Sequence, residues 1–343
     1  MFHKTKVWRG LTVVFALFLV FSLMAANIFE IYRASVDAFF GTRSQQIVTE
    51  ASDDASDAWS YQSNYTSAKE AYEGFREFAV RESQETYALL KNENSALPLS
   101  ADAKLTLFGV RSYAPVYGNN GGSVPDGKST VEIFDAFAER GFQLNPSMLS
   151  AYEAFFAGQE WTTPKFGGGI LPEYASITAY NDPCELTLDE LRGLNSGFDQ
   201  DYAAYGDAAI VVFGRPGGEN GDGYYPGSEG RADGVNTVTG NILSLSDEEV
   251  AILEEAKANF DKVVVLINAC NPMEIGSLAE DPEVDAILWI GFPGAYGFYG
   301  VADVLNGTVS PSAHLGDVFA KNSALAPAMM NYGNIPWANA HVR

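Results

Sequence analysis

Within the glycine-rich run Gly214 to Gly223 (GRPGGENGDG) the chain places Arg215, Glu219 and Asp222, with Tyr224 and Tyr225 directly after it. A carboxylic acid on such a backbone can protonate a departing oxygen if its pKa is raised. Arg215, Asp222 and Tyr224 are the accompanying candidates for substrate contact. The plainer reading of the same residues is a solvated acidic loop, and Glu229, Arg231 and Asp233 continue it as weaker candidates.

A second run, Gly122 to Ser129 (GSVPDGKS), matches the phosphate-loop pattern GxxxxGK[ST] letter for letter. Its context argues for a turn and a helix cap instead. A phosphate loop leaves its strand almost at once, whereas Val110 and Gly122 are separated by a long Tyr, Asn and Gly segment. With Glu132, Ser129 is also placed to make a capping box for the following helix. His3, His314 and His341 are scattered, which supports neither a catalytic triad nor a histidine metal cluster, so no metal and no cofactor is expected. Cys184 and Cys270 are the only cysteines, too few for a disulfide scaffold or a thiolate zinc site. A formal net charge of −23 repels phosphate backbones, so nucleic acid is excluded as a partner.

The elements that must position these residues alternate. Lys104 to Val110 (KLTLFGV), Ala208 to Phe213 (AAIVVF), Lys262 to Asn268 (KVVVLIN) and Ala286 to Ile290 (AILWI) are short apolar runs of buried-strand type. Helical patterns cover Ser67 to Lys91, Thr130 to Arg140, Met148 to Phe156, Ser246 to Asn259 and Tyr296 to Leu305. The fourth opens with a capping box of Ser246 and Glu249. Continuous apolar strands spaced by helices predict an α/β fold, a mostly parallel sheet sandwiched by helices. Ligand sites in such sheets lie beyond the carboxyl ends of the strands, where the run after Phe213 falls. Gly158 to Cys184 reads as a surface excursion, and Trp289, Phe292, Tyr296 and Tyr299 as packing for the core and loop ends, with a sugar platform as the sharper alternative.

Ahead of this domain, His3, Lys4, Lys6 and Arg9 precede an uncharged apolar run from Leu11 to Phe29. That length suits a membrane-spanning helix. A cleaved signal peptide is the rival reading, but Ser22 to Ala26 makes a poor cleavage site. Basic residues before the run and Glu50, Asp53, Asp54 and Asp57 after it place the amino terminus inside and the domain outside the cell membrane. The expected organisation is a cytoplasmic tail (1–10), a transmembrane helix (11–31), a polar linker (41–65), an α/β domain (66–333) and a short tail (334–343).

Several blocks resemble, in order, the C-terminal α/β-sandwich domain of glycoside hydrolase family 3. They are ALLKNENSALPLS (Ala88 to Ser100), AAIVVFGRPGGENGD (Ala208 to Asp222), LSDEEVAIL (Leu245 to Leu253), VVVLINACNPMEI (Val263 to Ile275), VDAILWIGFPGAYG (Val284 to Gly297) and VADVLNGTVSPS (Val301 to Ser312). A membrane-anchored subgroup of that family places this domain ahead of the barrel, and the arrangement here is similar. The resemblance implies β-glucoside or β-xyloside substrates, cleaved with retention by two carboxylates. It puts the acid/base on Glu219, with Asn220 where the family has a second glycine, and Ala313 and His314 also depart from the family's Pro-Ser-Gly-Arg-Leu. The nucleophilic Asp of the family belongs to a (β/α)₈ barrel in a Ser-Asp-Trp-like motif, which does not occur in this sequence. The expectation is an acid/base-bearing part of a β-glycosidase, inactive by itself and partnered by a barrel encoded downstream. A non-catalytic surface carbohydrate-binding or accessory domain is the alternative, and a nucleotide-binding protein using Lys128 a distant third.

Overall fold

A computed structural model describes residues 2–33, 64–118, 130–157, 185–215 and 243–325. The chain divides into two units, Met1–Asn64 and Tyr65–Arg343. In the first, α1 (Phe2–Ile31) carries no charged residue between Arg9 and Glu30. Its segment Thr5–Ile31 holds an 18-residue stretch with a mean hydropathy of 2.4 that is not buried against protein. At 1.5 Å per residue it extends about 40 Å, beyond the roughly 30 Å of a hydrocarbon core. By length and composition it is able to cross a membrane.

In the second unit six strands form one sheet: β1 (Ala88–Asn92), β2 (Lys104–Phe108), β3 (Gln143–Leu144), β4 (Ala208–Arg215), β5 (Val263–Ala269) and β6 (Ala286–Trp289). Their order is β1-β6-β5-β4-β2-β3, parallel throughout except for β1, which runs antiparallel on the edge. Every residue of β4 and β5 is buried, because both sheet faces are covered. Side chains alternate between the two cores as the pleat requires. Ala208, Ile210 and Val212 join Leu105, Leu107, Val264, Leu266 and Leu288 on one face. Ala209, Val211 and Phe213 join Phe108, Val263, Val265 and Ile267 on the other. Each such Val, Ile or Phe contributes about 1.5–3 kcal/mol by its burial.

Three helices cover the first face: α2 (Ala68–Thr86), α4 (Ile133–Glu139) and α9 (Gly297–Leu305). On the second lie α5 (Pro146–Ala157), α6 (Leu188–Leu194) and α7 (Asp247–Asn259). Two short helices, α3 (Val110–Tyr113) and α8 (Gly276–Glu280), follow β2 and β5. The α/β expectation and the expected strands hold, and so does the capping box that opens α7.

Two local expectations do not hold. The helix read over Ser67 to Lys91 stops at Thr86, and Ala88–Asn92 pairs with β6 instead, Ala88 opposite Trp289 and Asn92 opposite Ala286. The free edge of β6 offers this segment a ladder, interrupted by a register shift between Leu89 and Lys91, which outweighs its local helical pattern. Nor does a helix begin after Ser129. The amide of Val131 donates to the carbonyl of Ala295 (2.8 Å), which holds the chain extended until Glu132 takes the N-cap position without a side-chain cap.

Candidate functional site

The chain goes from β2 outward to β3, then returns to the other side of β2 for β4 and continues through β5 to β6. That reversal opens a crevice beyond the carboxyl ends of β2 and β4, the place where open α/β sheets bind ligands. The β2 strand enters it through Gly109, whose φ of 93° brings its Cα against β4. A Cβ there would stand 2.6 Å from the carbonyl oxygen of Val212, so only glycine fits. The freed amides after the strand are taken by side chains. Gly109 donates to the Tyr152 hydroxyl (2.7 Å), and Val110 donates to Oε2 of Glu185 (2.8 Å).

Glu185 also accepts the amide of Leu186 on Oε1 (2.9 Å). The residue as a whole is half-buried, but its carboxyl group is enclosed by protein. Desolvation therefore pushes the carboxyl up to about 8, aided by the charge of Glu249 and opposed by the two amides and Arg111. Arg111 is itself buried, donates from Nη1 to the carbonyl of Ala114 (3.2 Å), and lays its stem across the end of β4. A Cβ on Gly214 would meet Arg111 Cγ at 2.9 Å and the carbonyl of Asn268 at 3.3 Å.

One residue later Arg215 turns inward. Its guanidinium is fully buried and meets Glu249 with two 2.6 Å bonds, Nη1 to Oε1 and Nη2 to Oε2. Of the candidate contacts named from sequence, Arg215 is the one among the described residues. These bonds place it in an internal ion pair at the root of the loop. Glu219, Asp222, Tyr224, Tyr225, Glu229, Arg231 and Asp233 lie outside the described residues, as do Gly122–Ser129 and Cys184.

The next strand adds Asn268, wholly buried, whose amide donates to the carbonyls of Val116 (2.9 Å) and Gly291 (2.7 Å) while its Oδ1 accepts from Val116 (2.6 Å). Beyond β5 and β6 an open groove of about 460 Å³ runs against α2, walled by Phe75, Tyr87, Cys270, Trp289, Phe292 and Tyr296. Cys270 is a free, exposed thiol. Trp289 is half-buried and donates from Nε1 to the carbonyl of Ala269 (2.7 Å), while Tyr296 and Tyr299 are buried in the core. Among the described residues no group of His, Cys, Asp and Glu is arranged to hold a metal.

Sequence reasoning passed over Glu185, Asn268 and the second role of Glu249. A signal existed for Glu249: it shares the buried stripe of α7 with Ile252, Leu253 and Ala256, at helical spacing, where an acid requires a partner. Asn268 sits in a strand that is otherwise apolar up to that point. Chemically, the described residues make a frame. Among the described residues, Arg215 with Glu249 holds the end of β4, and Asn268 joins the segments after β2 and β6.

The profile of the glycosyl hydrolase family 3 C-terminal domain matches residues 87–340. A β-glucosidase of Ruminococcus albus is 29% identical over 249 residues, 72% of this chain and 23% of that protein. β-Glucosidase A of Butyrivibrio fibrisolvens is 28% identical over 248 residues, 69% of this chain and 27% of that protein. This chain thus spans about a quarter of the length of the curated relatives it matches. Among solved structures, a β-glucosidase from Paenibacillus barengoltzii superposes with a TM-score of 0.58 at 28% identity, covering 76% of this chain and 26% of that one. β-Glucosidase 3B from Thermotoga neapolitana, in complex with glucose, gives 0.55 at 27% identity, covering 74% and 32%. Because the family profile covers well over half of the chain, the chain belongs to the glycosyl hydrolase family 3 C-terminal domain family.

Proposed function

We propose that this chain is the acid/base-bearing part of a membrane-anchored retaining β-glycosidase acting on β-glucosides or β-xylosides. In this reading Glu219 protonates the leaving oxygen and then activates water, and a (β/α)₈ barrel contributes the nucleophile. One observation carries it. The β4 strand ends at the switch-point crevice, and its last residue, Arg215, is held there by Glu249. Glu219 follows Arg215 by four residues, so the chain can carry it no more than about 14 Å from that residue. Asp222 and Tyr224 follow in the same loop and serve as substrate contacts. Names of the relatives support a carbohydrate substrate.

Retaining hydrolysis needs two carboxyl groups roughly 5–5.5 Å apart, and this chain supplies the acid/base alone. The purified chain freed of α1 is therefore expected to leave aryl β-glucosides and β-xylosides intact. Robust turnover that disappears in Glu219→Ala would contradict this division of labour. The helix α1 serves as the anchor, amino terminus inside and domain outside, as Lys4, Lys6 and Arg9 direct.

A second reading, carbohydrate binding without catalysis, draws on the groove walled by Trp289, Phe292 and Tyr87. Titration with cellobiose and xylobiose while following tryptophan fluorescence separates the two. Saturable quenching lost in Trp289→Phe favours the binding module.

A further inference from the structure

We infer that the groove between α2 and the segment after β6 is a binding site for a small organic cation with an aromatic body. This use is independent of the acid/base reading above, and it is a rival to the sugar-binding one.

One face of α2 lines the groove. Phe75, Ala79, Glu82, Ser83 and Thr86 belong to the lining, and they recur at i, i+4, i+7, i+8 and i+11, the spacing of a single helical face. Trp289, Phe292 and Pro293 line it from the end of β6 and the segment that follows. At about 460 Å³ the groove falls within the ordinary range of small-molecule sites. Phe75 is 57% exposed, so much of its ring is free to meet a ligand. That ring stands T-shaped to the ring of Tyr296, centroids 6.5 Å apart.

The polar groups of this lining are mostly spent on the protein itself. Trp289 Nε1 donates to the carbonyl of Ala269 (2.7 Å), and the Tyr87 hydroxyl donates to the carbonyl of Gly297 (2.8 Å). Ser83 and Thr86 turn their hydroxyls back onto their own helix, to the carbonyls of Val80 (2.6 Å) and Ser83 (3.2 Å). The hydroxyls of Tyr296 and Tyr72 bond each other. Backbone groups are engaged too. The Gly294 amide donates to the carbonyl of Tyr117 (2.8 Å), and the Ala295 carbonyl accepts the amide of Val131 (2.8 Å). A disaccharide carries many hydroxyls that need directed partners, and this lining has few to give.

Charge then selects the ligand. Glu82 is the one charged residue in the lining. It is exposed, and it makes no ion pair or hydrogen bond among the described residues. The arginines of α2 are engaged with rings: Arg76 lies 5.6 Å from the centroid of Tyr296, and Arg81 lies 5.6 Å from that of Phe78. A net charge of −23 repels anions and draws cations to the surface. An ammonium beside Glu82, with a flat body among Phe75, Trp289 and Phe292, gains from the carboxylate and from the ring quadrupoles together.

The test uses the full chain in an uncharged detergent at low salt. Three probes share one phenethyl body: phenethylammonium, 2-phenylethanol and 3-phenylpropionate. Binding is read as the change in tryptophan emission that Trp289→Phe removes. Phenethylammonium is expected to saturate at least about threefold tighter than the alcohol, with the carboxylate weakest. Glu82→Gln should bring the ammonium to the affinity of the alcohol, and Phe75→Ala should weaken both. Glu85→Gln removes the same charge from an exposed position outside the lining and should change nothing. Glu82 and Phe75 are exposed, so their variants keep the fold, and an unchanged thermal midpoint verifies this. No saturable ammonium signal, equal losses in Glu82→Gln and Glu85→Gln, or a carboxylate that binds as tightly would overturn the proposal. Saturation by cellobiose that Phe75→Ala abolishes would hand the groove to a sugar. A dimer in sedimentation that Phe75→Ala dissociates would hand it to a second copy, and either result overturns the cation site.

Discussion

Asn268 and Val116 exchange two hydrogen bonds, side-chain Oδ1 accepting from the Val116 amide at 2.6 Å and Nδ2 donating to its carbonyl at 2.9 Å. The same Nδ2 reaches Gly291, so one buried side chain fastens the loop after β2 to the loop after β6 across the end of β5. Its removal leaves three backbone groups in the protein interior without their partner. Asn268→Leu is expected to lower the unfolding free energy by about 2–4 kcal/mol, measured by urea titration. A loss under about 0.5 kcal/mol, the range of an ordinary surface change, would show that water replaces the amide without cost.

Glu185 should make stability depend on pH in an unusual window. Its carboxyl moves from an ordinary 4.5 up to about 8 on folding, so the folded state favours the protonated form. That contribution is complete below about 4.5 and is lost as pH rises toward about 8. Glu185→Gln cannot ionise, so its urea midpoint should fall less between pH 5 and pH 8.5 than that of wild type. Parallel pH profiles for the two proteins would rule out the buried carboxyl as their cause.

Gly109 is where the crevice is tightest. Alanine must adopt a φ of 93° and set its Cβ 2.6 Å from the Val212 carbonyl. Gly109→Ala is expected to cost at least about 2 kcal/mol, with faster hydrogen exchange at Val212 and Phe213 as β4 is pushed away. Wild-type stability and exchange would mean that β2 ends with room to spare.

Much of this fold is legible in sequence because its causes are local. The apolar runs at 208–213 and 263–268 need no partner to be recognised as strands, since only a doubly covered sheet buries both faces. Ser246 and Glu249 announce the start of α7 at a spacing that only a capping box explains. Edge strand β1 was hidden because its reason for being extended lies nearly two hundred residues away, in β6. The site was legible in the same uneven way. The strand that leads to it was legible, while its frame was not, because Arg215 with Glu249 and Asn268 with Val116 are pairs made by topology. A charged residue in a glycine-rich loop looks solvated until the fold shows which way it turns.

The orientation of α1 has its own test. On intact cells, external protease should remove the bulk of the chain and leave a short protected fragment containing Lys4, Lys6 and Arg9. Full protection of the domain would reverse the topology, and a shed, intact domain beginning after residue 26 would make α1 a signal sequence.

The acid/base role of Glu219 is tested most directly by leaving-group dependence. The domain, residues 65–343, replaces the matching region of the Ruminococcus albus β-glucosidase, and the wild-type chimera is first shown to turn over. Glu219→Gln should then lower kcat/KM on alkyl β-glucosides by about 10²- to 10⁴-fold, since their leaving oxygens need a proton as the bond breaks. Dinitrophenyl β-glucoside, whose leaving group departs without help, should lose far less in that first step, and added azide should restore the second step by replacing the activated water. A small, uniform loss across all substrates with no response to azide would contradict the account and return Glu219 to the solvated surface of its loop.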